Sequence, residues 1–160
     1  MPRLFFGSVA EALALHVDAP ALLVPAGGRS FVDGATGALT LRRILVAVGD
    51  AEAGEAGAER AAWVADLVGA SEVDVELLHV GSAKPAPRLS LPQRRDTRFH
   101  VRTAEGSIED AIVATAEALN ADLIVMATRG HNSIADVMTG SHTERVLRRA
   151  HCPVLSVPLR

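Results

Sequence analysis

Cysteine occurs once in the 160 residues, at Cys152, and tyrosine does not occur at all. A lone thiol has no partner within the chain, so the fold is held without a disulfide, and a reducing compartment, the cytoplasm, is the expected location. Aromatic residues are scarce: Trp63 and four phenylalanines make up 3% of the chain. That is too few to build stacking platforms for bases. No apolar run approaches the roughly 20 residues that cross a bilayer, so a membrane is not an expected partner. The opening stretch MPRLFFGSVAEALALHV is interrupted by Gly7 and Glu11 and is followed by no small-residue cleavage site, which argues against a secretory signal. An excess of positive charge is lacking too. Sixteen Lys and Arg against 19 Asp and Glu give a formal charge of -3 and a pI near 6.0, which excludes a general nucleic-acid binder. One local exception, residues 84–98 (KPAPRLSLPQRRDTR), gathers Lys84, Arg88, Arg94, Arg95 and Arg98 among prolines and reads as a solvated loop. The six histidines do not fall at zinc spacings; His142, Glu144 and His151 lack the arrangement a metal needs. No Ser-His-Asp order, nucleophile elbow or phosphate loop ending in GK[ST] is present, so a dedicated enzyme is not expected.

What is present is a hydrophobic content of 49%, enough for one α/β domain with a real core. From residue 41 onward, short apolar runs alternate with helical patterns, the signature of a parallel sheet covered by helices. Residues 44–48 (ILVAV) predict a strand buried on both faces. Residues 58–68 predict a helix with Ala61, Val64, Leu67 and Val68 on one stripe. Residues 73–80 predict a second strand and 99–101 a short third. Residues 107–119 predict a helix capped by Ser107, with Glu109 and Asp110 in its first turn. Residues 122–127 predict a strand, 141–149 a helix, and 154–157 a last strand. Pro85, Pro87 and Pro92 disfavour a helix between the second and third strands. The glycines between residues 26 and 40 mark a linker.

The segment ahead of that linker resembles the end of the chain. Without gaps, residues 7–25 align with residues 140–158, and Gly7, Ser8, Glu11, Pro20, Leu22, Val24 and Pro25 match Gly140, Ser141, Glu144, Pro153, Leu155, Val157 and Pro158. Residues 1–25 therefore read as the last helix and strand of a preceding copy of the module, 26–40 as a linker, and 41–160 as the complete module.

After the strand at 122–127, a glycine turn at Gly130 and a second glycine, Gly140, precede a helix at Ser141. Unpartnered N–H groups, the helix dipole and a backbone free of Cβ make such a place receptive to phosphate. Ser141 and Thr143 add hydroxyls and Arg129 a full positive charge. An ordinary helix-flanking turn is the alternative for both glycines. Asp50 reads either as a nucleotide contact or as a helix cap, His79 as a structural histidine, and Cys152 as a small buried filler.

Here the pattern resembles the universal stress protein family. Ala127, Gly130, Gly140 and Ser141 fall in register with that family's phosphate motif, and the likeness extends over residues 42–158, taking in ILVAV, LLHV, ADLIVMATRG and CPVLSVP. The resemblance implies an adenine nucleotide alpha hydrolase-like fold, an open five-stranded parallel sheet of order 3-2-1-4-5 with helices on both faces, here with an N-terminal helix-strand extension. It implies adenine near Ala47, Val48, Val80 and Met126, and ribose near Asp50 and Ala127. It implies phosphates at Arg129, Gly130, His131, Gly140, Ser141, His142 and Thr143, with ATP, AMP or ADP as ligand and Mg²⁺ accompanying it. It also implies a homodimer through the last strand, residues 154–157, a regulatory role in stress response, and docking of the strand at residues 20–25 on a last-strand edge of its own domain or of a partner subunit, which would protect that edge. Two positions depart from the family: Ala127 replaces the first motif glycine, and Gly49 stands where the family usually has Asp, with Asp50 following. These leave open a nucleotide-free dimerising module of the same fold and, as a further alternative, a slow ATPase.

Overall fold

A computed structural model describes residues 19–81, 85–129 and 142–159. The expected helix before residue 19, and the turn from Gly130 to Ser141, lie outside the described residues. The elements run β1 (Ala21–Leu23), β2 (Arg43–Val48), α1 (Ala51–Leu67), β3 (Val73–Val80), β4 (Thr97–Ala104), α2 (Ile108–Leu119), β5 (Leu123–Arg129), α3 (His142–Arg149) and β6 (Val154–Leu159). They build a six-stranded sheet of order β1-β6-β5-β2-β3-β4. The five strands from β2 to β6 are parallel and, read from the other edge, take the order 3-2-1-4-5; the sixth, β1, adds antiparallel to β6.

Alternation along the strands divides the core between two faces. Ile44, Val46, Val75, Leu77 and Val125 pack toward α1, whereas Leu45, Leu78, Ile124 and Val154 pack toward α2 and α3. Burial on both faces is why β2 and β5 read as unbroken apolar runs.

Helix α1 starts at Ala51, seven residues ahead of the sequence expectation, and Leu67 faces solvent, 66% exposed. Its buried stripe is made instead of Ala53, Gly54, Gly57, Ala58, Ala61, Ala62 and Ala65. Gly54 and Gly57 look like helix breakers but let the helix lie against the sheet: a Cβ on Gly57 would come within 2.5 Å of Val46 Cγ1.

Between β3 and β4, residues 85–94 form no helix or strand. Leu89 and Leu91 of this segment pack against the α1-side core. Strand β4 is longer than the three residues its apolar content suggested. Its cross-strand partners are ionic: Arg98 Nε lies 2.9 Å from Asp74 Oδ1 and Arg102 Nε lies 2.6 Å from Glu76 Oε1 on β3. The ion pair with Arg98 holds the Asp74 carboxyl below the usual carboxylate range. Charge along an edge also discourages pairing with another chain.

The residues between β1 and β2 strap the sheet. Arg29 N donates to His151 O at 2.7 Å, and its guanidinium bonds Asn120 Oδ1 and the Ala121 carbonyl. Phe31 and Leu41 are buried in the α1-side core. The chain turns between them on the Asp33 carboxylate, which accepts from Ala35 N, Thr36 N and Thr36 Oγ1.

Candidate functional site

In a sheet of this order the chain leaves β2 toward β3 and β4, then crosses back to β5 on the other side of β2. The crevice at the carboxyl ends of β2 and β5 is where ligands bind in such folds, because the connections there diverge. Ala47 and Met126 are register partners across these two strands. Ala47, Val80 and Met126 all belong to the α2- and α3-side apolar cluster, with Ala47 and Val80 only partly buried. Val48 lies on the opposite face, in the α1-side cluster. Ala127 follows Met126, is partly buried and pairs with Val157. Arg129 is the last residue of β5, in register with Leu159. Five of the candidate residues, Ala47, Val48, Val80, Met126 and Ala127, thus gather at the carboxyl ends of three neighbouring strands.

The turn after β2 has two further features. Gly49 is exposed, and a Cβ built on it would meet nothing within 4 Å. Asp50 is the N-cap of α1, its Oδ1 accepting from Ala53 N at 2.9 Å. The end of β2 is fixed by His79, buried on β3, whose Nδ1 lies 3.0 Å from the Val48 carbonyl oxygen. A carbonyl only accepts, so Nδ1 is the donor in this bond.

Helix α3 opens directly behind the second motif glycine, and its position is set by α2. Glu109 is nearly enclosed, with a side chain 9% exposed. One of its oxygens, Oε1, accepts from His142 Nδ1 at 2.8 Å and from the Arg145 guanidinium; the other, Oε2, accepts from Ser107 Oγ. The hydrogen bond from His142 is the main reason the Glu109 carboxyl is pushed down to about 2. A second tie joins Arg149 Nη1 to Asp110 Oδ1 at 2.6 Å. His142 is therefore bonded to α2 by the side chain that the resemblance assigned to phosphate, and Thr143 is buried beside it in sequence. Gly130, His131, Gly140 and Ser141 lie outside the described residues.

The sequence marks Glu109 only as an acid favourable to the helix dipole. The signal that it does more was the complementarity of SIED, opening one helix, with the basic HTERVLRR of another. Among the described residues, no group of three His, Cys, Asp or Glu gathers at metal-binding separation. Burial pushes the Cys152 thiol up to about 11, so it stays protonated and unreactive. No described helix is long and apolar enough to cross a membrane.

Comparison with known proteins bears on this arrangement. Residues 88–158 match the model of the Universal stress protein family. Universal stress protein MJ0531 of Methanocaldococcus jannaschii is 45% identical over 60 residues, covering 38% of this chain and 35% of that protein. A universal stress protein of Archaeoglobus fulgidus is similar in structure, with a TM-score of 0.69 and 25% identity over 96% of this chain; the match spans 54% of that chain. A universal stress protein solved in complex with cAMP superposes with a TM-score of 0.56 at 22% identity, over 75% of this chain and 98% of its own.

Proposed function

Residues 88–158 make this chain a member of the universal stress protein family, and from that premise we propose that it binds an adenine nucleotide and acts as a regulatory protein in stress response. The observation that supports this reading is the meeting of β2 and β5 at the switch point, with the partly buried Ala47 and Val80 and the buried Met126 in one apolar cluster. Adenine needs an apolar bed, plus a few polar atoms to orient it. The ribose then lies toward Asp50 and Ala127. The phosphates lie along the segment from Arg129 through Gly130, His131, Gly140 and Ser141 to His142 and Thr143, where glycines admit an anion to the backbone. A relative of the same fold was solved with cAMP; for this chain the ligand rests on its own residues and motif.

The described acids provide no cage for a divalent ion. Mg²⁺ in this reading travels on the phosphate oxygens of ATP, with Asp50 the carboxylate at that end of the sheet. Slow hydrolysis is the most that such a site supports. The cytoplasm suits a chain whose one thiol is buried and protonated. The homodimer implied by the family would use the β6 edge, from Val154 to Val157. That edge carries β1 here.

A thermal melt with and without ATP·Mg²⁺ tests the reading. Ligand at 100 times its dissociation constant stabilises a folded protein by about 2.7 kcal/mol, which for a domain of this size raises the melting temperature by roughly 5–10 °C. A melt unmoved by millimolar ATP, ADP, AMP and cAMP overturns it. The nucleotide-free module, favoured by Gly49 and Ala127, is what then remains.

A further inference from the structure

Strand β4 closes one side of the sheet, and among the described residues β3 is its one neighbour. The bonds that join the two fix which way each of its peptide groups points. Val73 N donates to Asp96 O and Gly81 N to Ala104 O, and a strand residue turns its N–H and C=O to the same side, alternating along the chain. Arg98, His100, Arg102 and Ala104 therefore bond β3, whereas Phe99, Val101 and Thr103 present theirs to the free edge. Side chains alternate between the two faces in step with this. Phe99 packs on the α1-side core, and Val101, on the same face, is 56% exposed. Arg98, His100 and Arg102 stand on the other face, where they bond Asp74 and Glu76 of β3.

We infer that the free edge of β4 receives an extended segment of another protein, in which acidic residues alternate with valine-like or threonine side chains, added to the sheet as a further strand. In such an addition the backbone groups of Phe99, Val101 and Thr103 supply affinity and the alternate side chains supply specificity. The inner side of β4 shows the chemistry that fits. There it pairs with Val73, Asp74, Val75 and Glu76, apolar and acidic in turn. Its cations keep capacity for a second column of acids: the side chains of Arg98, His100 and Arg102 remain 60%, 51% and 52% exposed. Arg102 bonds Glu76 through Nε, with both Nη groups unspent among the described residues. On the apolar face a shallow groove lined by Leu91, Pro92, Arg95 and Phe99 gives a partner side chain room. A second copy of this chain does not fit the same edge, since β4 against β4 would set Arg98, His100 and Arg102 of one copy beside those of the other. The charge that turns away a like strand admits an acidic one.

The probe is a dye-labelled peptide as long as β4, in which Glu alternates with Val and Thr, titrated with the full chain and followed by fluorescence anisotropy. Saturable binding that weakens with salt is expected, and a counterpart carrying Lys for Glu should not bind. Val101→Pro removes one outward N–H and no bond to β3, at a place where an edge strand tolerates proline. This variant is expected to keep the melt of the unaltered chain and to bind the peptide about tenfold more weakly. If Val101→Pro fails to fold, hydrogen exchange of the unaltered chain decides. The Phe99, Val101 and Thr103 amides should exchange fast in the free chain and slowly with the peptide bound, while those of His100 and Arg102 are protected throughout. Absence of saturable binding, equal binding of the Lys counterpart, or equal binding by a folded Val101→Pro variant overturns the inference. So do outward amides that the peptide leaves unchanged, or displacement of the peptide by equimolar single-stranded DNA, the mark of a plain basic surface.

Discussion

Replacing Glu109 by Gln removes the carboxylate that ties the first turn of α3 to α2 while keeping its size. In the folded chain this group titrates at about 2, against an ordinary value of 4.5. At about 1.4 kcal/mol per unit, the gap corresponds to an upper bound of about 3 kcal/mol. Its two cations lie half in water, His142 at 55% and Arg145 at 44% side-chain exposure, and solvent screening reduces the figure to about 1–2 kcal/mol. The folded value is depressed, so the contribution is fully present above pH 4.5 and is lost as pH falls toward 2. Urea or thermal unfolding of the two proteins should therefore differ by about 1–2 kcal/mol at pH 7, roughly 2–8 °C in melting temperature. The difference should shrink steadily below pH 4.5. Equal stability at pH 7, or a difference that persists undiminished near pH 2, refutes the clamp.

Substitutions at three other positions separate packing, capping and binding. Gly57→Ala should lower unfolding free energy by about 1–2 kcal/mol, since the new methyl collides with Val46; Gly49→Ala, with open space around it, should stay within about 0.5 kcal/mol in the same urea titration. Asp50→Ala should cost about 1 kcal/mol as a lost N-cap, whereas Asp50→Asn keeps the cap; if Asp50 also contacts ribose, Asn alone weakens nucleotide binding without moving the melt of the free protein. Gly49→Asp restores the acid that the family usually carries after its first strand and should tighten adenine-nucleotide binding measured by fluorescence competition.

Where the sequence carried a period, it carried the fold. Strands β2 and β5 are buried on both faces, so their apolar runs stood out, β3 alternates before turning apolar, and Ser107 with its acidic neighbours marked α2. The beginning of α1 was hidden because its buried stripe is alanine and glycine, which carry little hydrophobic signal and, in the case of glycine, the opposite propensity. Strand β4 was shortened because an edge strand held by Arg98, Arg102 and their acids looks like a polar loop. The pairing of β1 was legible only through the likeness of residues 7–25 to 140–158. At the candidate site, the strand-end residues were named through the likeness to the family. The Glu109 clamp could not be found in the sequence, because it joins two helices more than 30 residues apart whose charges match only once they are packed.

Isothermal calorimetry of ATP with Mg²⁺ into the full chain bears most directly on the nucleotide reading, with GTP as the reference ligand. Saturable heat at one ATP per chain, abolished by Gly140→Val and much weaker for GTP, is the predicted result. Absence of saturable heat with a folded protein, or equal binding by the Gly140→Val variant, contradicts the assignment of the phosphates to this glycine segment.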